Sequence, residues 1–504
     1  MTLSAVLSSR VTLFYERRQP AVQAAVCIVL AILVLLVQAY LGAFFGAVSF
    51  IWLTAVTIAA LFISCEFVFA LLITNAFLQN AFLALASPSI PSLDAFRPLQ
   101  GGNFLSVCLT AFLGIPVWLK LRRYVPLKER QVLTWMVLLG AVVVIYSGVG
   151  FAKTSPTDVL TYTRVDIIGG LMLLIGIAMG FQISATFIVN VVRLITIILV
   201  TWGVLEFFCT PWLYRLFNVV DYIHLQYANS GDPLALAALG DIIRASSSQS
   251  YLNLSGKFGL DFDILRLQGP NIHSISYAYG LAFCALVCFA YRSTFLLVAC
   301  LLTMSLVGGK GPILMVLVSL VGYPFYKTLT PRLFLTGLGV LCAVVGVGVF
   351  IYGILSGDYH VIGLLGGLRG FMHDPLGRGV GIGGNLSHLA LVDTNFKFFE
   401  SYGADFALES AFGVMLYQIG IGALVFFAFY WQVWKSAWRA IRAMPEEPRL
   451  VVLPVALAVL FVNGFFQEEV LSPEGWGLMF LFAGLVIAWS WQRFLSGQAQ
   501  KAPA

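Results

Sequence analysis

One region of the sequence combines turn-forming glycines, cationic side chains and a carboxylate. The segment DPLGRGVGIGGN, residues 374–385, contains a GxGxxG match and includes Arg378; Arg369 precedes it and Glu409 follows it. Glycine-rich turns let backbone N–H groups approach an anion, and the planar fork of arginine can bond two oxygens at once. A carboxylate can accept a proton as a general base. These residue types predict a site that binds an anionic group and moves a proton.

The GxGxxG string does not predict a dinucleotide site. That interpretation requires a strand before the motif and a helix after it, inside a βαβ unit, and no strand pattern precedes this segment. The segment GGKGP, residues 308–312, also departs from a phosphate-binding loop, because Met304 and Gly311 stand where Gly and Ser or Thr belong. The glycines are predicted to form turns, either beside a ligand or at the membrane face.

The composition predicts that transmembrane helices position these residues. Hydrophobic residues make up 60% of the 504 residues and charged residues 10%, against about 25% charged residues in soluble domains. A water-soluble fold of this length cannot bury so much apolar surface. The positive charges are spread over separate loops, so the net charge of +6 indicates membrane topology and not nucleic-acid binding. The eight cysteines lack CxxC spacing and predict no metal or disulfide framework.

Apolar runs of about 17–25 residues are long enough to cross a bilayer as helices, and they predict about fourteen spans. These spans are placed near 21–42, 44–62, 65–87, 104–120, 131–150, 160–181, 186–208, 272–291, 293–309, 311–328, 331–354, 410–433, 450–468 and 475–493. The prediction is an all-α polytopic membrane protein in which residues 1–504 form one integral membrane domain. Two long loops, about 209–271 and 355–409, interrupt the spans.

The basic residues predict which side of the membrane each loop faces. The clusters KLRRYVPLKER and KSAWRAIRAMPEEPR fall on the same side as the N-terminus, and cytoplasmic loops carry the excess of Lys and Arg. Both termini are therefore predicted to be cytoplasmic and both long loops external. The external cations expected to contribute to a site are Arg266, Arg369 and Arg378 in or beside the long loops, Lys310 at the tip of a helical hairpin, and Arg97 and Arg164 in short external loops.

Four segments, taken in order, resemble the O-antigen ligase and Wzy-type polysaccharide polymerase superfamily. LRLQGPNIHSISYAYGLAF resembles the family's Arg-x-x-Gly-Pro-…-Asn segment at the start of a helix, and LVGGKGPILMVLVSLV resembles its next helical hairpin. LRGFMHDPLGRGVGIGGN resembles the Arg-…-His-Pro-Leu-x-Gly-x-Gly segment, and ESAFGVMLYQIGIGALVFF resembles the helix after the second loop. The resemblance covers roughly residues 260–435.

Two positions depart from the family pattern. The ligases place a His, often followed by Asn, where this chain has Glu409 and Ser410, and a Glu-Ser pair is more similar to the polymerase branch. Lys310 stands where the family usually has Arg.

The resemblance implies a GT-C-like helical fold and a glycosyl transfer that requires no metal or other cofactor. A polymerase of this kind transfers a glycan chain from undecaprenyl pyrophosphate to the non-reducing sugar of a lipid-linked repeat unit, on the periplasmic face of the bacterial inner membrane. The expected partners are the lipid-linked oligosaccharide and membrane lipids, with a flippase and a chain-length regulator of the same pathway. No nucleic-acid partner is expected.

Charge and resemblance together suggest residue roles. Glu409 is expected to be the general base, and Arg266 and Arg369 the catalytic cations that face the pyrophosphate. For each there is a structural alternative: a charge that complements the helix dipole for Glu409, and a headgroup contact or loop salt bridge for each cation. Asn271 is expected to cap a helix that begins near Ile272. The expected substrate-binding residues are Arg378, Lys310, His388 (also the second candidate base), Arg164 and Arg97.

Two other functions remain open from the sequence. A ligase or protein O-oligosaccharyltransferase of the same superfamily would use the same donor and a different acceptor. A lipid-linked oligosaccharide flippase would also have many spans, but it predicts short loops and internal symmetry, and the sequence has two long loops and no detectable repeat.

Overall fold

The computed structural model describes residues 20–46, 48–121, 125, 127–230, 248–250, 263–356, 358–384, 386–387 and 408–499. Most of these residues are helical. The main helices, in chain order, are α1 (Pro20–Phe45), α2 (Val48–Ile63), α3 (Cys65–Ala86), α4 (Leu93–Gln100), α5 (Gly102–Leu121), α6 (Leu127–Phe151), α7 (Pro156–Gly180), α8 (Ala185–Leu216), α9 (Val219–Ser230), α10 (Ser274–Ala290), α11 (Thr294–Val307), α12 (Lys310–Thr328), α13 (Pro331–Ser356), α14 (Tyr359–His373), α15 (Ala411–Ile419), α16 (Ala423–Arg442), α17 (Val452–Gly464) and α18 (Leu478–Ala499). Between α9 and α10, two three-residue strands, β1 (Ser248–Ser250) and β2 (Asp263–Leu265), pair antiparallel.

The helices form two compact units. Unit 1 comprises Met1–Trp118 and Ala178–Ile313, and unit 2 comprises Leu119–Ile177 and Leu314–Ala504. The prediction that residues 1–504 form one integral membrane domain stays a prediction.

Eight helical segments among the described residues are long and apolar enough to cross a membrane. They are Pro20–Phe45, Cys65–Ser89, Arg130–Phe151, Pro156–Gly180, Ala185–Leu216, Pro331–Ser356, Ala411–Arg442 and Pro473–Ser496. Each apolar run predicted from the sequence overlaps one or more helices, and the number of about fourteen spans stays a prediction. The chain is thus an α-helical, multi-pass membrane protein, as its composition predicts.

Helix α13 has the side-chain pattern of a lipid-facing span. Val340, Val344, Val347, Ile351 and Leu355 are exposed and recur every three or four residues, which places them on one side of the helix. Exposure of this much apolar surface to water would be costly, at roughly 25 cal/mol per Å². Against lipid the same face carries no such cost.

Short polar residues begin several of the helices. Ser64 precedes α3 and accepts a hydrogen bond from the backbone N–H of Phe67 at 3.2 Å; Ser184 precedes α8 and accepts from Phe187 at the same distance. Such caps satisfy N–H groups that have no partner inside the helix. Gly308, with φ of 75°, ends α11 in the left-handed conformation that glycine adopts without strain.

Asn271 does not cap the helix that follows it, so this prediction was wrong. Helix α10 begins at Ser274, and its N-cap is His273, whose side chain accepts from the N–H of Ser276. Asn271 is buried and its side-chain amide donates to the carbonyl oxygen of Ala76 at 3.3 Å. The chain turns at Ile272, where φ is 53°, and this turn moves the helix start two residues onward.

Both regions predicted as long loops contain helices. Helix α8 continues to Leu216, beyond a non-helical residue at Cys209, and α9 follows it. The break at Cys209 precedes Pro211, whose missing N–H and ring disrupt a helix.

Helix α14 lies in the second region predicted as a long loop. It contains several glycines, each costing about 1 kcal/mol relative to alanine in a helix, so the sequence did not indicate it.

Candidate functional site

Helices α14 and α15 of unit 2 pack against each other through glycines. A Cβ added to Gly367 would overlap the backbone of Gly413, and one added to Gly363 would lie 2.8 Å from the backbone nitrogen of Glu409. Only glycine fits at such an approach, because any side chain would separate the two backbones. This packing brings the first turn of α14 next to the start of α15.

Glu409 and His360 meet at these two helix starts. Asp358 caps α14 by accepting from the N–H of His360 at 3.0 Å, and Ser410 caps α15 by accepting from the N–H of Gly413 at 3.0 Å. The Nδ1 atom of His360 lies 3.2 Å from Oε2 of Glu409, with side-chain exposures of 23% and 33%. The carboxylate expected to be the base thus lies beside a histidine and is partly exposed.

The glycine-rich segment forms a turn that follows a helix, not a strand. Five of its glycines have positive φ, which side chains other than glycine rarely adopt; they are Gly377, Gly379, Gly381, Gly383 and Gly384. This conformation gives the turn the tight curvature required to fold back on the end of α15.

The turn uses its polar backbone groups to hold α15. The N–H groups of Arg378 and Gly379 donate to the carbonyl oxygens of Tyr417 and Gln418, at 3.3 and 2.9 Å, and the Gln418 side chain donates to the carbonyl of Gly383 at 2.9 Å. Carbonyls at a helix C-terminus have no partner inside the helix, so the turn satisfies them. These two N–H groups are consequently not available to bind an anion.

Arg378 and Arg369 occupy different environments. The Arg378 guanidinium lies over the Tyr417 ring, 4.0 Å from its centroid, so α15 also fixes this cation. Arg369 is exposed on α14, nine residues after His360. At about 100° and 1.5 Å per residue, that spacing puts the two on opposite sides of the helix, roughly 13 Å apart along its axis. The structure therefore does not bring Arg369 beside the His360–Glu409 pair.

Glu468 and Tyr162 belong to this region, and sequence reasoning missed both. The backbone N–H of Glu468 donates to the carbonyl oxygen of Glu409 at 2.9 Å. The Tyr162 hydroxyl donates to Oε1 of Glu468 at 2.6 Å and accepts from the N–H of Leu386 at 3.0 Å. Glu468 ends a predicted span, where an ionisable residue is a functional candidate by default. Tyr162 carries no comparable sequence signal.

Arg164 was expected in a short external loop, but it lies inside α7 and is half-buried. It interacts electrostatically with Glu474, a buried carboxylate of the segment before α18. A cation beside a buried carboxylate is typical of a structural ion pair, which is the alternative to a binding role. The binding role expected for Arg164 stays a prediction.

Three of the predicted cations belong to unit 1. Arg266 is half-buried and directly follows β2, Lys310 is the exposed first residue of α12, and Arg97 lies within α4. His388 lies outside the described residues. Of the predicted set in unit 2, Glu409 alone lies beside His360, whereas Arg378 packs near the end of α15 and Arg369 lies farther along α14.

A second carboxylate missed by the sequence reasoning, Glu206, fixes the segment after Arg266. Its oxygens accept from the backbone N–H groups of Gln268 and Gly269 at 2.8 and 2.9 Å and from the hydroxyl of Tyr214 at 3.1 Å. Glu206 is 1% exposed. The donors described around it all belong to unit 1, so within that unit it holds residues 268–269 against α8.

Among the described residues, no three His, Cys, Asp or Glu side chains are grouped so that they could hold a metal ion. Comparison with models of known protein families and with curated proteins gives no match. The chemical capacity of the site therefore follows from its own geometry: a partly exposed carboxylate–histidine pair before the first turn of α15, and a cation of the glycine-rich turn packed on Tyr417 near the other end of that helix.

Proposed function

We propose that this protein is a bacterial polysaccharide polymerase that extends a lipid-linked glycan on the periplasmic face of the inner membrane. The observation that carries the proposal is the His360–Glu409 pair, with its 3.2 Å separation and partial exposure at the start of α15. A carboxylate in that setting can take a proton from an acceptor hydroxyl. The resemblance of the surrounding segments to the Wzy-type polymerases supports the same chemistry.

In the proposed step, a hydroxyl oxygen of the acceptor sugar attacks the anomeric carbon of the donor glycan. The bond from that carbon to the pyrophosphate oxygen breaks, and undecaprenyl pyrophosphate leaves with the bonding electron pair. Glu409 accepts the hydroxyl proton, and His360 orients its carboxylate. The chain thereby moves onto the non-reducing sugar of an incoming lipid-linked repeat unit.

The leaving pyrophosphate develops negative charge, and cationic groups must meet it. Arg378 is the fixed cation near α15, and Arg369 is exposed on α14. Arg266, Lys310, Arg164 and Arg97 stay proposed contributors, as does His388. The proposal includes a GT-C-like arrangement with about fourteen spans and cytoplasmic termini, no required metal, and a flippase and chain-length regulator as pathway partners.

Deleting the gene and separating the surface polysaccharide on a gel tests this proposal. Loss of long chains, with single repeats still attached to their final carrier, is the expected result. A plasmid with the wild-type gene should restore the long chains, and one with Glu409→Gln should not, although both proteins reach the membrane. Unchanged chain lengths in the deletion strain would contradict the proposal.

A ligase is the second candidate, and one observation favours it. The ligases place a histidine at the start of the helix that corresponds to α15, and here His360 lies beside Glu409 at that same helix start. The same gel separates the two functions. A ligase deletion removes all attached glycan, whereas a polymerase deletion leaves single repeats.

A further inference from the structure

The hydroxyl of Tyr162 joins three separate segments of unit 2. It is the acceptor for Leu386 at the end of the glycine-rich turn and the donor to Glu468, whose backbone bonds Glu409. We infer that Tyr162 is a positioning residue: its hydroxyl holds the glycine-rich turn and Glu409 in one fixed arrangement. The inference rests on the proposed function for its catalytic consequence, but the hydrogen-bond chain itself does not depend on that function.

The surroundings of Tyr162 leave little freedom for this hydroxyl. The side chain is 0% exposed and Glu468 is 9% exposed, so water does not readily replace either hydrogen bond. A Cβ added to Gly384 would overlap the Tyr162 hydroxyl. Glycine at position 384 therefore allows the turn to approach the Tyr162 hydroxyl closely. The same hydroxyl is also close to the Glu468 carboxylate.

The chain of contacts reaches Glu409 through backbone, not through its carboxylate. The Glu468 N–H holds the Glu409 carbonyl, while the Glu409 side chain extends to His360. Tyr162 thus sets where the backbone of residue 409 lies and leaves the carboxylate accessible. Because a general base acts in the transition state, a shift of its backbone should lower turnover more than substrate binding.

Tyr162→Phe removes the hydroxyl and keeps the ring, and Tyr430→Phe is the matched control. The Tyr430 hydroxyl is also buried in unit 2 and donates one short hydrogen bond, 2.7 Å to the carbonyl of Leu457. We expect Tyr162→Phe to lower kcat for chain extension by about 10- to 100-fold, the scale of a small misplacement, with KM within about twofold. Tyr430→Phe should leave both constants near wild type.

Hydrogen–deuterium exchange of the purified full-length protein tests the positioning directly. Loss of the acceptor for Leu386 should make peptides of the glycine-rich turn exchange faster in Tyr162→Phe than in wild type or Tyr430→Phe. This readout requires no substrate. It consequently distinguishes failure of the inference from failure of the proposed function.

Glu468 provides a second test with a conservative replacement. Glu468→Gln keeps a carbonyl oxygen that can accept from Tyr162, so exchange in the turn and chain extension should stay within about twofold of wild type. Glu468→Leu removes the acceptor and should reproduce the effects of Tyr162→Phe. A large loss in Glu468→Gln would overturn a purely positioning role for this pair.

Two results for the Tyr162→Phe variant would also overturn the inference. One is unchanged exchange in the turn of Tyr162→Phe, whatever happens to activity. The other is faster exchange with unaltered kcat, because Tyr162 would then hold the turn without positioning Glu409. If wild-type protein extends no chains at all, the proposed function fails, and the exchange result alone still decides whether Tyr162 holds the turn.

Discussion

The two units each present a carboxylate near a segment with predicted site residues, but the carboxylates are held in different ways. Glu206 in unit 1 is 1% exposed and accepts from two backbone N–H groups and a tyrosine hydroxyl. The Glu409 side chain in unit 2 is 33% exposed and lies 3.2 Å from His360. One carboxylate is enclosed by donors, and the other is partly exposed beside a histidine.

The difference separates structural from chemical roles for two residues of the same type. A buried carboxylate whose oxygens are occupied by backbone N–H groups holds a loop and cannot accept a substrate proton without breaking those bonds. A partly exposed carboxylate beside a histidine can exchange a proton while its surroundings stay in place. Membrane depth alone would rank Glu206 above Glu409 as a functional candidate; the hydrogen-bond partners reverse that order.

The largest expected effects come from exchanging each carboxylate for its amide. Glu409→Gln should lower chain extension by at least about 100-fold, the scale of a lost general base, with little change in thermal unfolding. Glu206→Gln turns an NH₂ group toward a buried N–H, which costs about 1–3 kcal/mol, and should lower the unfolding temperature. Chain-length gels and thermal unfolding in detergent measure the two effects. Loss of stability in Glu409→Gln together with loss of activity but not of stability in Glu206→Gln would contradict the comparison.

The next effect concerns the close approach of α14 to α15 that places His360 beside Glu409. Gly367→Ala would overlap the Gly413 backbone, and overpacking of this kind costs about 1–3 kcal/mol. The control is Gly337→Ala in α13, where an added Cβ meets nothing within 4 Å. We expect a lower unfolding temperature and reduced chain extension for Gly367→Ala alone. Equal unfolding temperatures and equal chain extension in the two variants would show that the Gly367–Gly413 contact does not position His360 beside Glu409.

The smallest effect should come from Tyr214→Phe, which removes one of the donors to Glu206. A single hydrogen bond contributes about 0.5–1.5 kcal/mol, so the unfolding temperature should fall slightly. Chain extension per folded molecule should remain at the wild-type level, since two backbone N–H groups still hold the carboxylate. A loss of activity larger than the loss of folded protein would assign Glu206 a chemical role.

The sequence predicted the helices well and the site only in part. Long apolar runs determine spans such as α13 through composition alone, and the turn conformation of residues 377–384 follows from their glycines. The pairing of His360 with Glu409 was not predictable, because it depends on two glycine-containing helices packing face to face. Tyr162 and Leu386 are far apart in sequence, and a single hydrogen bond between them leaves no periodic or motif signal.

Chain extension by purified protein in liposomes tests the central claim most directly, with lipid-linked oligosaccharides extracted from the deletion strain as substrate. We predict that wild-type protein converts them to longer chains and releases undecaprenyl pyrophosphate, and that Glu409→Gln, folded to the same extent, does neither. Equal rates for the two proteins would contradict the assignment of Glu409 as the base.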